Sequence, residues 1–320
     1  MKTILLTVLI GGALIIFGAQ IPFVQEFIQQ EKSLENDKEA DLVAETRVST
    51  TTLLFVGDIM MGRNVELLMD RNGDSYPFAY IAPFLKSVDT VVGNLEGPVL
   101  SNHTRTPSQS VRFDFHTRMP KVLKEHNISI VSLANNHTFD FGTAGYDETV
   151  QHVRAAGIDV LGHPFAFGPT YVLHKKINDQ KFVFVGFNIT NPHFNYSKAR
   201  EFVETLERSP DEFYIAMIHG GEEYKLVSNK TQKSFYRGLI DDGVDLVIGH
   251  HPHVVQESEE YKNKMIFYSL GNFIFDQYFS DDTQQGLTIK AHFVHGKVSY
   301  EIIRVKSVRS QVKLADPLQL

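Results

Sequence analysis

From residue 49 onward, short apolar runs alternate with segments whose apolar residues recur at helical spacing. Runs rich in β-branched, aromatic and leucine residues, bounded by turn residues, predict strands. The predicted strands are Leu53–Gly57, Thr90–Gly93, Ser129–Leu133, Asp159–Leu161, Phe182–Phe187, Phe213–Ile218, Val244–Ile248 and Met265–Ser269. The predicted helices are Pro120–His126, Tyr146–Ala156, Lys198–Arg208 and Gln232–Asp242.

Strands that alternate with helices in this way predict an α/β domain with a largely parallel sheet. Gly157 and Gly243 stand directly after two of the predicted helices, where glycine commonly ends a helix. Near the end of the chain, Leu287–Val294 and Lys297–Val305 flank a short turn and predict an antiparallel hairpin.

The N-terminal segment predicts an exported, membrane-anchored protein. Thr3–Val24 carries no charge and is long enough to cross a bilayer as a helix, so residues 1–24 are expected to be a transmembrane anchor. Lys2 precedes the segment, which favours an orientation with the rest of the chain outside the cell membrane. The alternative is a cleaved signal peptide whose apolar region is Leu5–Phe17.

Residues 25–48 hold seven acids and three bases among scattered apolar residues, which is typical of a stalk between the membrane and a folded domain. No linker interrupts residues 49–310. We therefore expect a single-pass membrane protein with one extracytoplasmic domain over residues 49–310, followed by a C-terminal tail over residues 311–320.

Composition excludes several classes of function. The formal net charge is −7 and the chain has no long basic block, so nucleic acid is not an expected partner. The chain contains no cysteine, which excludes thiol catalysis, disulfides and cysteine-bound zinc.

Polar residues follow six of the predicted strands, and most of them have a glycine nearby. In a parallel sheet the carboxyl ends of the strands lie along one edge, so these residues are expected to converge on one crevice. Each of them singly has a structural explanation, such as a helix cap, a turn or a buried histidine. The residues are Asp58; Asn94 and Glu96; Asn135–His137; His219 and Glu222; His250–His253; and Gly271-Asn272.

Carboxylate, amide and imidazole groups together predict a site for divalent metal ions. Two ions about 3.5–4 Å apart can activate water and bind both the attacking and the leaving oxygen. Because thiolates are absent, we expect manganese, iron or zinc, with one or two ions bound.

Five motifs, in this order along the chain, resemble those of the CapA family (also called PgsA) of poly-γ-glutamate capsule biosynthesis proteins. The resemblance covers about Leu53 to Asp276, and it implies a relation to the calcineurin-like metallophosphoesterases. That relation implies two packed sheets flanked by helices. The motifs are Phe55–Arg63 (FVGDIMMGR), Gly93–Glu96 (GNLE), Ala134–His137 (ANNH), Gly249–His253 (GHHPH) and Ser269–Phe273 (SLGNF).

The resemblance also implies roles for individual residues. Asp58 would bind the first metal and Glu96 would bridge both, while Asn136 and His219 would bind the second. His251 and His253 would complete the two metal sites, one each. His137 would donate a proton or stabilise the transition state.

Three departures from the phosphoesterase pattern affect the metal site. Met60 replaces the first motif's histidine, Asn94 and Glu96 replace an aspartate pair, and Gly220 replaces an aromatic residue. We therefore expect the first metal to be held weakly or to be missing. His250 is an alternative to His251 as a ligand, although the His-x-His spacing favours His251 and His253.

Five further residues are candidates around the metals. Asp140, three positions after His137, is expected to orient that imidazole. Arg63 is expected to bind a substrate carboxylate or phosphate. Asn94, Glu222 and Asn272 are the remaining substrate-binding candidates.

The leading functional hypothesis is a metal-dependent hydrolase or transferase that acts on an anionic surface polymer such as poly-γ-glutamate. Its expected partners are that polymer, the membrane-bound polymer synthase subunits and the membrane itself. One alternative is a non-catalytic scaffold that binds polymer within the synthase complex. Another is a secreted metal-dependent phosphoesterase.

Overall fold

The structure, a computed structural model, describes residues 50–294 and 296–315. The expected anchor over residues 1–24 and the stalk over residues 25–48 lie outside these ranges. Within them, no helix combines the length and apolar character that crossing a bilayer would require.

The described residues form strands and helices that alternate through most of the chain. Short 3₁₀ turns lie at Tyr76–Phe78, Pro169–Tyr171 and Asp282–Gln284. In chain order the other elements are β1 (Thr51–Ile59), α1 (Arg63–Asn72), α2 (Ala82–Leu85), β2 (Thr90–Leu95), β3 (Val99–Leu100), β4 (Phe115–His116), α3 (Met119–Glu125), β5 (Ile128–Ser132), α4 (Gly142–Ala155), β6 (Asp159–Leu161), β7 (Leu173–Ile177), β8 (Gln180–Asn188), α5 (Tyr196–Glu204), β9 (Glu212–His219), α6 (Lys230–Asp241), β10 (Leu246–His250), β11 (Ser258–Tyr261), β12 (Lys264–Phe267), β13 (Asn272–Ile274), β14 (Gln285–Val294), β15 (Lys297–Val308) and β16 (Gln311–Leu314).

The strands form two main sheets and a small pair. The first sheet has the order β16-β15-β14-β1-β2-β5-β6, with β13 also paired to β1. Its strands β1, β2, β5 and β6 are parallel, whereas β14, β15 and β16 are antiparallel. The second sheet has the order β11-β12-β10-β9-β8-β7, and its four central strands are parallel. Strands β3 and β4 pair separately.

Both faces of each main sheet are covered, which explains why the strands read as nearly continuous apolar runs. In β1, Leu53 and Phe55 join the core between the sheets, where they share a cluster with Met217 of the second sheet. The alternate residues Leu54 and Val56 belong instead to the cluster that includes α1, α3 and α4. Helices α5 and α6 cover the outer face of the second sheet. The two-sheet sandwich flanked by helices is therefore confirmed.

The predicted strands and helices all correspond to observed elements. Gly157 and Gly243 adopt φ angles of +77° and +112°, each one residue beyond the C-cap position of its helix, after Ala156 in α4 and Asp242 in α6. Each of these helices ends in a reversed turn, in which the amides of Ile158 and Val244 bond back to carbonyls of the helix. The predicted C-terminal hairpin is also present, as β14 and β15.

Among the helices and strands that the structure describes, eight have no predicted counterpart: α1, α2, β3, β4, β7, β11, β13 and β16. Helix α1 was not predicted, although Val65 and Met69 on it are buried. Residues Gln311–Leu314, which we expected to lie in a tail, form β16 and pair with β15. Val312 is fully buried on this strand, so the folded domain continues past residue 310.

Strand register brings polar residues into line at one edge of the sandwich. Asp58 on β1 lies opposite Asn94 on β2 and opposite Asn272 on β13. In the second sheet, His219 at the end of β9 lies opposite His250 at the end of β10. The carboxyl ends of strands from both sheets therefore deliver these groups to one region, as parallel topology requires.

The backbone around Gly57 packs closely against Gly271 at this edge of the sandwich. The amide of Asp58 donates to the carbonyl of Gly271 over 3.0 Å. A Cβ atom added to Gly57 would lie 2.0 Å from that same carbonyl oxygen. Only glycine therefore fits at position 57 without moving the backbone of the site.

We expect Gly57→Ala to lower the free energy of unfolding by about 3 kcal/mol or more, since overpacking against backbone cannot relax by a side-chain rotation. Urea unfolding followed by circular dichroism measures this. The control is Gly238→Ala in α6, where the nearest atoms to the added Cβ belong to the flexible Arg200 side chain. A Gly57→Ala protein as stable as the control would show that this backbone contact is not needed.

Candidate metal centre

Two fully buried carboxylates, Asp58 and Glu96, form the centre of the site. Asn94 lies between them and donates Nδ2 to Asp58 Oδ1 over 2.8 Å. The same Nδ2 atom is 3.4 Å from Glu96 Oε2. Asn94 therefore lies inside the acidic centre, and at 1% exposure it is not a residue on an open substrate face.

Glu96 has a carboxylate oxygen without a hydrogen bond. Its Oε1 atom is buried and has no hydrogen-bond partner among the described residues. Two imidazole nitrogens lie near it, Nε2 of His253 at 3.6 Å and Nε2 of His137 at 3.9 Å. Burial, together with the charge of Asp58, raises the pKa of Glu96 well above its ordinary value. A cation beside Oε1 would relieve both effects.

His253 lies against both carboxylates. Its Nδ1 atom is 3.0 Å from Asn272 Oδ1 and 3.5 Å from Asp58 Oδ2. Burial acts to lower the pKa of His253, but Glu96 and Asp58 raise it to about 9. In turn, although burial acts to raise the pKa of Asp58, the hydrogen bond to His253 and nearby imidazoles lower it. The centre therefore favours positive charge at this position.

His219 and His251 form a neutral imidazole pair beside the acids. Nε2 of His219 lies 2.7 Å from Asn136 Oδ1 and 3.2 Å from Nδ1 of His251. Burial, with the neighbouring imidazole of His251, lowers the pKa of His219 well below its ordinary value. Burial and His253 lower the pKa of His251 to about 3. Neutral imidazole is the form that binds metals, so both side chains suit a ligand role.

His250, the alternative ligand, has a different environment. Its Nε2 atom contacts the backbone carbonyl of Val56 at 3.2 Å, and the residue is 1% exposed. His250 thus connects β10 to β1, whereas His251 and His253 lie among the candidate ligands.

The backbone after β10 is strained at both of these histidines. His251 has φ +98° and His253 has φ +58°, in the left-handed region that few non-glycine residues adopt. The amide of His251 donates to Asp58 Oδ2 over 3.2 Å, which helps to hold this conformation. Strain of this kind typically persists where the surrounding structure orients functional side chains.

The described residues contain two groups whose ligand atoms lie within 4.8 Å of one another. One group is Asp58, Glu96 and His253; the other is Glu223, His251 and His253. Oxygen and imidazole donors suit a divalent ion, and the unbonded Oε1 of Glu96 lies in the first group. The residues present therefore fit a divalent metal.

Met60 does not belong to this centre. Its side chain is fully buried in the core between the first sheet and the helices. Its sulfur accepts a hydrogen bond from the amide of Gly62 over 3.2 Å. The position that holds a histidine in the phosphoesterase pattern therefore contributes to packing in this chain.

His137 is oriented as the sequence predicts. Its Nδ1 atom lies 3.0 Å from Asp140 Oδ2, and its ring stacks on Phe113 with 4.0 Å between ring centres. With Nδ1 occupied by Asp140, Nε2 faces Glu96. The pair places Nε2 of His137 at the edge of the acidic centre.

Three of the expected substrate-binding residues are in other environments. Arg63 forms an ion pair with Asp276 and is only 11% exposed. Asn272 is fully buried, and its amide donates to Gln277 and to the carbonyl of Thr283 while its oxygen contacts His253. Glu222 is exposed, and its side chain contacts Asn229 at 3.4 Å. Arg63 and Asn272 are therefore bonded to other side chains of the protein, and Glu222 belongs to neither ligand group.

Two residues of the site have no role predicted from the sequence. Glu223, next to Glu222, lies in a ligand group. Its position in a loop gives no periodicity from which to tell the two glutamates apart. Asn135 was counted among the strand-end residues but given no role. It is fully buried, and its oxygen accepts from the amides of His137 and Thr138 at 3.1 and 2.8 Å.

Solved structures define the class of fold. A protein described as a novel phosphatase from Mycoplasma pneumoniae aligns over 84% of this chain and 96% of its own, with 15% identity and a TM-score of 0.52. A hypothetical protein from Thermus thermophilus aligns over 79% and 99%, with 14% identity and a TM-score of 0.53. The chain thus shares its fold with these two solved structures.

Sequence comparison defines the family. The profile of the bacterial capsule synthesis protein family PGA_cap matches residues 52–277. Capsule biosynthesis protein CapA of Bacillus anthracis is 32% identical over 71% of this chain. PGA biosynthesis protein CapA of Bacillus subtilis is 33% identical over 70% of it. This chain belongs to the PGA_cap family. The matched part spans 60% and 63% of the length of those two relatives.

We expect Asn135→Ala to lower the free energy of unfolding by about 2–4 kcal/mol, because several buried polar groups would lose a hydrogen-bond partner. Its Nδ2 also donates to Asn94 Oδ1 and to the carbonyl of Leu95, at 3.1 and 2.8 Å. Urea unfolding measures the change. Asn195→Ala, which removes an exposed helix cap, is the control and should cost only about 1 kcal/mol. Equal losses in the two variants would contradict a special role for Asn135.

Proposed function

We propose that this protein acts in the synthesis, export or release of an anionic surface polymer of the poly-γ-glutamate type. The family match and the names of the Bacillus relatives support this proposal. The apolar segment Thr3–Val24 supports a single-pass anchor with the folded domain outside the cell membrane. The partners would be the polymer and the membrane-bound synthase subunits.

The chemistry we propose is metal-dependent hydrolysis or transfer at an amide or phosphoester bond. The observation that carries this proposal is the buried, unbonded Oε1 of Glu96 within a group of ligand atoms. Asp58, Glu96 and His253 would hold one divalent ion, and Glu223 with His251 would hold a second or complete the first. When bound, the metal would activate water or another nucleophile and polarise the bond under attack.

His137 would serve the leaving group as general acid. Asp140 holds Nδ1 and so presents Nε2 toward the acidic centre. A nitrogen fixed in this way can transfer a proton within hydrogen-bond reach of a bound substrate. Stacking on Phe113 restricts rotation of the ring, so the position of Nε2 is set before substrate arrives.

A second candidate function is a non-catalytic scaffold that binds polymer and guides it outward. The burial of Met60 favours this candidate, because the chain lacks one ligand of the phosphoesterase pattern. Metal analysis of the purified protein separates the two: bound divalent ions support the enzyme, and their absence supports the scaffold.

The double variant His251→Ala/His253→Ala should lose bound metal and polymer production, because both candidate ligand groups lose a nitrogen. Elemental analysis of the full-length protein and quantification of cell-surface polymer measure the two effects. The control variant is His174→Ala/His193→Ala, which removes two exposed histidines elsewhere. Unchanged metal content and polymer in the site variant would refute the metal-dependent function.

The neighbouring glutamates allow a sharper test. Glu223→Gln should weaken manganese binding about tenfold or more, since Glu223 lies in a ligand group. Glu222→Gln should bind as the wild type does, because that side chain belongs to neither ligand group and contacts Asn229. Titration of the metal-free protein with manganese measures both affinities. A larger loss of affinity in Glu222→Gln than in Glu223→Gln would mean that Glu222 is the ligand.

A further inference from the structure

Arg112 is an exposed cation close to His137. It precedes Phe113, the residue that stacks on His137. Unlike Arg63, whose charge is neutralised by Asp276, Arg112 forms no ion pair with any acidic side chain in the part of the chain that the structure describes. Its charge is therefore available to a ligand.

Asp140 connects Arg112 directly to His137. The carboxylate of Asp140 contacts His137 Nδ1 at 3.0 Å and accepts from the amide of Phe113 at 2.7 Å. The backbone carbonyl of the same residue accepts from Nη2 of Arg112 over 2.6 Å. The guanidinium and the imidazole are thus held in a fixed relation by one residue.

The guanidinium of Arg112 stacks on an aromatic ring, and several of its N–H donors have no hydrogen-bond acceptor among the described residues. It lies over the ring of Phe141 with 4.3 Å to the ring centre. Cation–π stacking uses the flat face of the group and leaves the N–H donors in its plane. Only Nη2 has a protein acceptor among the described residues. The remaining donors form the planar fork that binds a carboxylate in a bidentate manner.

Several hydrogen bonds fix the position of the loop that carries Arg112. His103 contacts Glu66 of α1 at 2.8 Å and Asp114 at 2.9 Å. Arg63 donates Nη1 to the carbonyl of Ser110 over 2.9 Å, and Ser110 in turn bonds to both backbone groups of Arg112. Arg112 is therefore positioned before ligand arrives, which lowers the entropic cost of binding.

We propose that Arg112 binds a free carboxylate of an anionic polymer and so places a neighbouring bond of that polymer next to His137. The proposal rests on the proposed function and specifies its substrate class as a polycarboxylate. A guanidinium fork also accepts phosphate, so the test separates polycarboxylate from polyphosphate.

The experiment measures binding of a fluorescent γ-glutamate oligomer to the full-length protein in detergent, by anisotropy. Arg112→Gln should bind the oligomer about tenfold to hundredfold more weakly, as expected for loss of a charge-assisted bidentate pair. Arg112→Lys should fall between Arg112→Gln and wild type, since it keeps the charge without the fork. The control is Arg154→Gln, an exposed arginine at the far end of α4, which should bind as wild type does.

Competition identifies the ligand chemistry. Unlabelled γ-glutamate oligomer should displace the probe, whereas a neutral γ-glutamine oligomer should not. The proposal is overturned if Arg112→Gln binds as wild type does or if Arg154→Gln loses as much affinity. It is also overturned if the neutral oligomer competes equally, or if polyphosphate binds through Arg112 and the γ-glutamate oligomer does not.

Binding and catalysis are separable in this design. The double variant His251→Ala/His253→Ala leaves Arg112 and its partners in place. If that variant retains metal and polymer production, the proposed metal-dependent function fails, yet the dependence of binding on Arg112 is still measured. If Arg112→Gln binds normally while the double histidine variant loses metal, the present inference fails and the proposed function stands.

Discussion

The burial of two carboxylates in one crevice is the constraint on which the site depends. Asp58 and Glu96 are fully shielded from water, and two such charges are costly unless opposite charge and hydrogen bonds compensate them. Asn94 and His253 supply part of that compensation. The Oε1 atom of Glu96 is left without a hydrogen bond among the described residues.

This acidic pair also accounts for the imidazoles around it. Both carboxylates raise the pKa of His253, while burial keeps His219 and His251 neutral. One crevice thus holds a position that favours positive charge beside two neutral imidazoles. The backbone strain at His251 and His253, and the close contact between Gly57 and Gly271, show that chain geometry is adapted to this arrangement.

A further set of contacts links the metal centre to its surface. Arg63 neutralises Asp276 and supports the loop at Ser110, and that loop places Phe113 against His137. Asp140 then joins the histidine to the exposed Arg112. Arg63, the predicted substrate arginine, is thus paired with Asp276, whereas the exposed cation Arg112 lies on a loop without periodicity, so the sequence pattern does not single it out.

Residue order predicted the α/β class and, through the family resemblance, the two-sheet sandwich, and it placed polar residues at the ends of the strands. Apolar runs record which strands are covered on both faces, and parallel strands necessarily deliver Asp58, Glu96 and His219 to one edge. Folding in three dimensions was needed to distinguish Glu223 from Glu222, to direct His250 to the carbonyl of Val56 and to place Asn272 against His253. These choices depend on side-chain direction in loops and on contacts between residues far apart in the chain, and neither leaves a periodic trace in the sequence.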